Sequence, residues 1–471
     1  MIRKILFSSA ALLVASPTWA QSVDVAAQAR SVAATALIKN ANQVPINSKF
    51  CTVGDSRLSH GWTSSIPGVT GYSNYGPQTW MAQLSSRRIN FPIYDQFSVS
   101  GSTTTQALTQ LQSALSADCG NILFMSGTND GGASIPIATT LNNYTSIISQ
   151  TVASGKHIWL FTESPRGSTG YPALAFTGAA LLNHNWMRTF ELNAAKLYGP
   201  KVHIIDVWPS LYDPANDTLG YILNSCTYDG LHQNIPCAAT MAQLALPEIN
   251  RVFGASPIVT YNGSDLYNAT SSPGGAISLN PTFDGTGGTL GSPASGSLAT
   301  SWTLSINGGL AGATGVSIVA SKVTTSPISG VGNWQQIAFS GTTTNASGPY
   351  FHLDQTAVAV TGVYSAGDLV EGVCQYEADT TTGMYALWMT VDQYGNGVNQ
   401  FEDGEDPGAN TYGVMPSGPI SGILKTPPFT AAGTETSTGM KIYGRFMDNG
   451  ATAFNATLRF RNCYIHKLIY G

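Results

Sequence analysis

The sequence predicts an α/β domain built on a mostly parallel sheet, followed by an all-β, jelly-roll-like domain. Three observations carry that expectation. Between Phe50 and Phe253, short apolar runs alternate with longer stretches whose apolar residues recur at helical spacing. From about Ser256 the composition shifts to Gly, Ser, Thr and Asn, and the helical period disappears. Only 10% of the 471 residues are charged while 43% are hydrophobic, which supplies ample material for more than one core.

The chain opens on Arg3 and Lys4, an apolar run from Ile5 to Ala15, and Thr18-Trp19-Ala20 with small residues where a signal peptidase reads. Residues 1–20 are therefore expected to be a signal peptide cleaved after Ala20. The product would be a secreted or periplasmic protein starting at Gln21. The run is well short of the ~20 residues that span a bilayer, and no transmembrane segment is expected after cleavage.

Residues 21–255 form the expected α/β domain. Its strands are placed at Phe50 to Val53, Asn90 to Val99, Asn121 to Ser126, His157 to Thr162 and Val202 to Val207. Helices are placed at Pro77 to Arg88, Thr103 to Ala117, Ile135 to Ala153, Ala175 to Tyr198 and Ala238 to Val252. Residues 256–295 read as an irregular linker. Residues 296–471 read as a β-sandwich, with strands at Ser301 to Ile306, Val316 to Lys322, Trp334 to Phe339, Phe351 to Val360, Leu369 to Tyr376, Tyr385 to Val391, Met440 to Phe446 and Thr457 to Leu468. Turn signals stand at Asn307-Gly308, Ser340-Gly341 and Asn449-Gly450.

Composition excludes several classes. With 21 Lys and Arg against 26 Asp and Glu, the net charge of -5 offers no basic excess for nucleic acid. A long coiled coil is incompatible with 50 Gly and 24 Pro. Six cysteines suit an oxidising compartment. Cys226 and Cys237 would close a small loop; Cys51 and Cys119 each stand at a strand start, and Cys374 and Cys463 lie in strands of the second domain. Buried free thiols are the alternative for each pair. The absence of C-x-x-C and H-E-x-x-H removes the usual zinc and thioredoxin readings, so neither metal nor cofactor is expected.

Polar clusters follow the strands. The first strand runs into Gly54-Asp55-Ser56-Arg57, the second ends at Ser100-Gly101-Ser102, and the third runs into Gly127-Thr128-Asn129-Asp130. Asp229-Gly230-Leu231-His232 precedes the last helix. In an open α/β sheet such positions converge on one rim. A serine hydroxyl becomes a nucleophile when an imidazole takes its proton, and a carboxylate fixes that imidazole's tautomer. Ser56, His232 and Asp229 supply those parts. Gly101 can bring a bare N–H to an oxyanion, Asn129 a side-chain amide, and the Ser56 N–H a third donor at a helix start.

These blocks, in this order, resemble those of the SGNH (GDSL) hydrolase superfamily, and the resemblance covers the first half of the chain. It implies a three-layer α/β/α, flavodoxin-like fold and an esterase, lipase, acetylesterase or thioesterase activity. Arg57 departs from the Leu of the motif's name, which bears on substrate preference. No Gly-x-Ser-x-Gly elbow is present, against an α/β-hydrolase. Asp206 is a rival carboxylate, Asp55 and His203 read as structural, and His60 as either pocket lining or a plain loop residue. Trp62, Tyr72 and Tyr75 could stack on sugar or pack their own loop. Trp302, Trp334 and Trp388 pose the same choice between sugar platform and core.

The expected function is a secreted serine ester hydrolase working through an acyl-serine, with an acetylated carbohydrate, such as a polysaccharide, as the favoured substrate. A lipase or short-chain esterase is the alternative, and a non-catalytic surface-binding protein is the reading from another class.

Overall fold

The apolar runs of the first half become parallel strands in a computed structural model that describes residues 47–63, 69–254, 266–344, 348–394, 399–405, 413–448 and 450–468. The expected signal peptide, part of the expected linker and Asn449 of the last turn signal lie outside the described residues. Strand β1 (Phe50–Gly54) is followed by a hairpin, β2 (Trp62–Thr63) and β3 (Val69–Ser73). Next come β4 (Asn121–Met125), β5 (His157–Phe161) and β6 (Val202–Ile205). The central sheet has the order β1-β4-β5-β6, all parallel.

The expected strand at Asn90 to Val99 is a correction. It forms no regular strand, because Pro92 lacks a donor and the chain makes a 3₁₀ turn over Ile93–Asp95. It still runs beside β1, with Phe50 N donating to Asn90 O, Phe97 N to Thr52 O and Val99 N to Gly54 O. Including this segment, the order is that of a flavodoxin-like sheet.

Helices α1 (Ser56–Ser59), α2 (Pro77–Leu84), α3 (Thr104–Ser116), α4 (Thr128–Gly132), α5 (Ile137–Ala153), α6 (Gly178–Tyr198), α7 (Trp208–Leu211) and α8 (Ile235–Phe253) complete this half. Alternation along the strands makes three layers. Cys51, Val53, Ile122, Phe124, Ile158 and Leu160 face α3, α5 and α6. Phe50, Leu123, Met125, Trp159 and Phe161 share the opposite core with α8. Three disulfides are present: Cys51–Cys119, Cys226–Cys237 and Cys374–Cys463.

The second half is two sheets whose inner faces meet, as where Phe339 stacks on Phe351 at 4.5 Å. The expected strands here are present, several longer than expected, except that Phe351 to Val360 divides into Tyr350–Gln355 and the short Val358–Ala359. Ser340-Gly341 is not a turn; it lies inside the strand Gly330–Thr342. Strands Asn399–Glu405 and Ile420–Lys425 were not foreseen. Trp302, 1% exposed, stacks on Phe283, and Trp334 is fully buried. Both belong to the core and cannot serve as a sugar platform.

Ser48–Gly471 cluster as one unit, and the reason is a shared sheet. The β2–β3 hairpin extends the nine-stranded sheet of the second half, with β3 lying parallel to Asn399–Glu405. Asn74 Nδ2 donates to Leu387 O and Gly404 O at 3.3 and 3.1 Å. Tyr376 Oη donates to Gln83 Oε1 at 3.0 Å, and Arg87 Nε to Ile423 O at 2.9 Å. An isolated hairpin is marginal in water. A chain cut after Gly254 is therefore expected to lose activity on small soluble esters even where circular dichroism shows folded protein. A folded truncate with the full-length rate would show that the hairpin holds its shape without the second half.

Candidate active site

The carboxyl ends of β1, β4 and β5 point to one rim, as an open parallel sheet requires. Asp55 opens α1 as its N-cap, accepting from Arg57 N at 3.1 Å. This places Ser56, 3% exposed, at the first helical position. His232 arrives from the loop before α8, and its Nε2 stands 2.7 Å from Ser56 Oγ. On the other side, His232 Nδ1 is 2.6 Å from Asp229 Oδ2. Asp229 Oδ1 accepts the backbone N–H groups of Leu231 and His232 at 2.9 and 2.8 Å.

The electrostatics follow from these bonds. Burial works to raise the Asp229 carboxyl, but hydrogen bonds from the His232 ring, the His232 and Leu231 N–H groups and the His232 charge outweigh it and hold it at about 2. It therefore remains a carboxylate that keeps His232 Nδ1 protonated and Nε2 turned to the serine. The loop carrying both is braced. Thr227 Oγ1 donates to His232 O at 2.7 Å, and Gln233 Nε2 reaches Arg57 O at 2.7 Å and Tyr75 O at 3.1 Å. Cys226–Cys237 closes the loop around both residues.

The two expected oxyanion positions lie in loops tied to the nucleophile and to each other. Gly101 is exposed at φ +78°, in the left-handed region, and a Cβ there would meet nothing within 4 Å, so backbone freedom rather than space suits glycine. Backbone bonds of that turn use the Val99 and Ser102 N–H groups and leave out the Gly101 N–H. Asn129 Nδ2 donates one proton to Ser102 O at 2.9 Å, and its amide carries a second. Gln110 accepts from Gly54 N at 2.8 Å and donates to Ser102 Oγ at 2.9 Å, joining the end of β1 to the Gly101 loop.

Asp130 joins that loop to the Asn129 turn. Buried, it accepts from Thr104 N at 2.8 Å and from the Thr104 and Thr140 hydroxyls at 2.5 and 2.6 Å. Sequence reasoning missed the roles of Gln110, which lies inside α3 with no motif to mark it, and of Asp130 and Gln233, whose only signal was position within or beside the polar blocks.

Asp206, the rival carboxylate, pairs with Arg188 at 2.7 Å and accepts from Thr162 Oγ1 at 3.0 Å, leaving Asp229 on the histidine. His203 is satisfied between His157 at 2.8 Å and Glu248 at 2.6 Å. His60 lines the site, its ring 4.6 Å from the His232 ring and 5.4 Å from Tyr75. Burial, followed by the His232 charge, lowers it to about 4, with Asp229 opposing, so it is neutral at ordinary pH. Trp62 and Tyr72 face each other across the hairpin, and Tyr75 packs against the core. Arg57 requires a correction: its side chain is buried beneath the serine, so it cannot read substrate. Among the described residues no group of His, Cys, Asp and Glu is arranged to hold a metal ion, and no helix is long and apolar enough to cross a membrane.

A serine, histidine and carboxylate in line at the rim of a parallel sheet have the layout of a serine hydrolase. Residues 52–234, which contain all the residues of this site, match the family model described as GDSL-like Lipase/Acylhydrolase, and the chain carries a domain of that family. No curated protein matches the sequence. Solved structures that resemble it include a member of the lipolytic protein G-D-S-L family from Veillonella parvula DSM 2008 (16% identity, 43% of this chain and 98% of that one, TM-score 0.33). Others are a GDSL-like lipase from Bacteroides thetaiotaomicron VPI-5482 (13%, 45% and 93%, 0.31) and an acetylxylan esterase from Geobacillus stearothermophilus (13%, 46% and 100%, 0.33).

Ser56→Ala is expected to lower kcat on the order of 10³-fold or more, and Asn129→Ala on the order of 10²-fold, with circular dichroism unchanged. A Ser56→Ala protein at wild-type rate would remove the serine from the chemistry. His60→Phe is expected to leave the acidic limb of the kcat profile in place between about pH 5 and 8, because His60 is already neutral there. A limb that moves with this substitution would show that His60 titrates during turnover.

Proposed function

We propose that this protein is an exported serine ester hydrolase acting through an acyl-Ser56 intermediate, with an acetylated carbohydrate as substrate. The observation that carries the reading is the unbroken line from Ser56 Oγ through His232 to Asp229, at 2.7 and 2.6 Å. In the first half-reaction His232 Nε2 takes the Ser56 proton as Oγ bonds to the ester carbon. The oxyanion accepts hydrogen bonds from the Ser56 and Gly101 N–H groups and the free proton of the Asn129 amide. The C–O bond to the alcohol then breaks, and His232 returns its proton to the leaving oxygen. Water, deprotonated by the same imidazole, attacks the acyl carbon; the bond to Oγ breaks, His232 returns the proton to Ser56 Oγ, and the acid leaves.

Two features favour a short acyl group on a neutral polar alcohol. His60 and Tyr228 crowd the His232 ring at 4.6 and 5.8 Å between centroids, which narrows that side of the site. Low charge, the expected signal peptide and a large appended β-half suit an exported enzyme meeting an uncharged polymer. With Trp302 and Trp334 in the core, the second half is better placed to shape the site than to stack on sugar. We place the division between the halves near Ser256. A lipid or general short-chain ester is the second reading, favoured by the exposed apolar side chains of Val99 and Tyr171 on the loops that flank the site.

A panel of acetyl, butyryl and long-chain esters, run beside acetylated polysaccharides, tests the choice. Acetyl esters are expected to be preferred, with acetate released from polymer and no effect of chelators. A long-chain preference would select the lipid reading, and activity lost to a chelator and restored by metal would overturn the serine mechanism.

A further inference from the structure

The steps above make no use of Arg57, Glu163 or Glu191, yet all three are fully buried next to the catalytic loops. Arg57 Nε and Nη2 grip Asp55 at 2.9 and 2.7 Å. Its Nη1 and Nη2 grip Glu163, just past β5, at 3.1 and 2.8 Å, and Nη1 also reaches Ser164 Oγ at 3.2 Å. Glu163 Oε2 lies 3.3 Å from His184 Nε2 on α6. The Glu163 N–H donates to Glu191 Oε2 at 2.8 Å.

Tyr144 completes the path. Its hydroxyl is 2.8 Å from Glu191 Oε1 and in short contact with Ser126 O, the carbonyl that leads into the Asn129 turn. One hydroxyl has one proton. If Tyr144 donates to the carbonyl, Glu191 must supply the other bond's proton and so is a neutral acid. Burial and the Glu163 charge, which push the Glu191 carboxyl well up, agree with that count. The Asn129 turn touches the network directly. A Cβ at Gly127, where φ is +132°, would stand 3.1 Å from Glu163 Oε1 and 3.2 Å from Tyr144 Oη. Glycine is required there by both φ and space.

We propose that Arg57 and Glu163 are positioning residues that join the nucleophile turn to the Asn129 turn and so hold Ser56 and the oxyanion donor at a fixed separation. The inference rests on the serine-hydrolase reading above. Two forked, charge-assisted pairs fix direction as well as distance, whereas a leucine at position 57 would fill space without orienting either turn.

The test measures kcat, KM and Tm with p-nitrophenyl acetate for wild type, Glu163→Gln, Glu191→Gln and the double variant Arg57→Leu/Glu163→Leu. Glu163→Gln is expected to lose kcat on the order of 10²-fold with KM within about 3-fold, the signature of misplacement rather than lost binding. In the double variant the Arg57 and Glu163 charges leave but Asp55 stays buried without its guanidinium, so both Tm and kcat are expected to remain below wild type. Glu191→Gln, which mimics the neutral acid, is expected to match wild type in both. A double variant that regains kcat along with Tm, or Glu163→Gln at the wild-type kcat, would overturn the proposal, as would a collapse of Tm in Glu191→Gln. Where those chains fail to fold, Ser164→Ala removes one bond to the guanidinium. A fall of about 3-fold in kcat supports the proposal and an unchanged rate overturns it. Wild type inert toward the ester would instead fail the underlying reading, and is distinguished by needing no variant.

Discussion

A guanidinium taken out of water must find acceptors for its donors, or the folded state loses several kcal/mol. Arg57 meets that demand with Asp55 from the end of β1 and Glu163 from the end of β5. Burial alone would lower its affinity for its proton, and the two carboxylates more than reverse that. Neither carboxylate would be tolerated in its place without the arginine. The demand is mutual, so the ends of two strands that are not neighbours in the sheet are held in one arrangement. Because the residue so held follows the serine, a packing requirement becomes a constraint on the reacting atom. Gln110 and Asp130 extend the same principle to the Gly101 and Asn129 loops with neutral donors around their carbonyl and carboxylate oxygens.

Much of this was legible in the residues, for physical reasons that can be named. Parallel strands buried on both faces are continuous apolar runs, so β1, β4, β5 and β6 stand out from the helices between them. That Ser56, His232 and Asp229 meet, and that the Gly101 and Asn129 loops lie side by side, was legible because polar loops at one rim of a parallel sheet converge. The segment from Asn90 to Val99 looked like a strand by composition, but it lies at the sheet edge beside β1, where Pro92 and the turn after it interrupt the ladder. Arg57 was misread because a charged side chain beside a nucleophile suggests contact with substrate. Its acceptor at Glu163 lies 106 residues away, and no local pattern announces such a pair.

The joined sheet was hidden for a related reason. Trp62–Thr63 and Val69–Ser73 sit in a run of Gly, Ser and Tyr that reads as loop, and Asn399–Glu405 alternates only weakly. Each is poor as a strand alone and acceptable once paired, since strand preference depends on neighbours more than on the residues themselves. The aromatic residues of the second half were ambiguous in the same way. Trp302 occupies an inward position, whereas Trp334, on the face opposite Ile337 and Phe339, is buried beneath the Arg461 guanidinium, a covering that alternation does not reveal.

The β3 pairing also orders events in time. Asn74, at the end of the hairpin, reaches its acceptor at Gly404 across 330 residues, so this contact is among the least local in the chain. Contacts of that span close late, after the entropy of a very long loop has been given up. While the polypeptide is being made, the hairpin that follows the serine turn has no partner strand. Its completion must await nearly the whole chain. Such an arrangement ties the ripening of the serine site to the folding of strands that are made last.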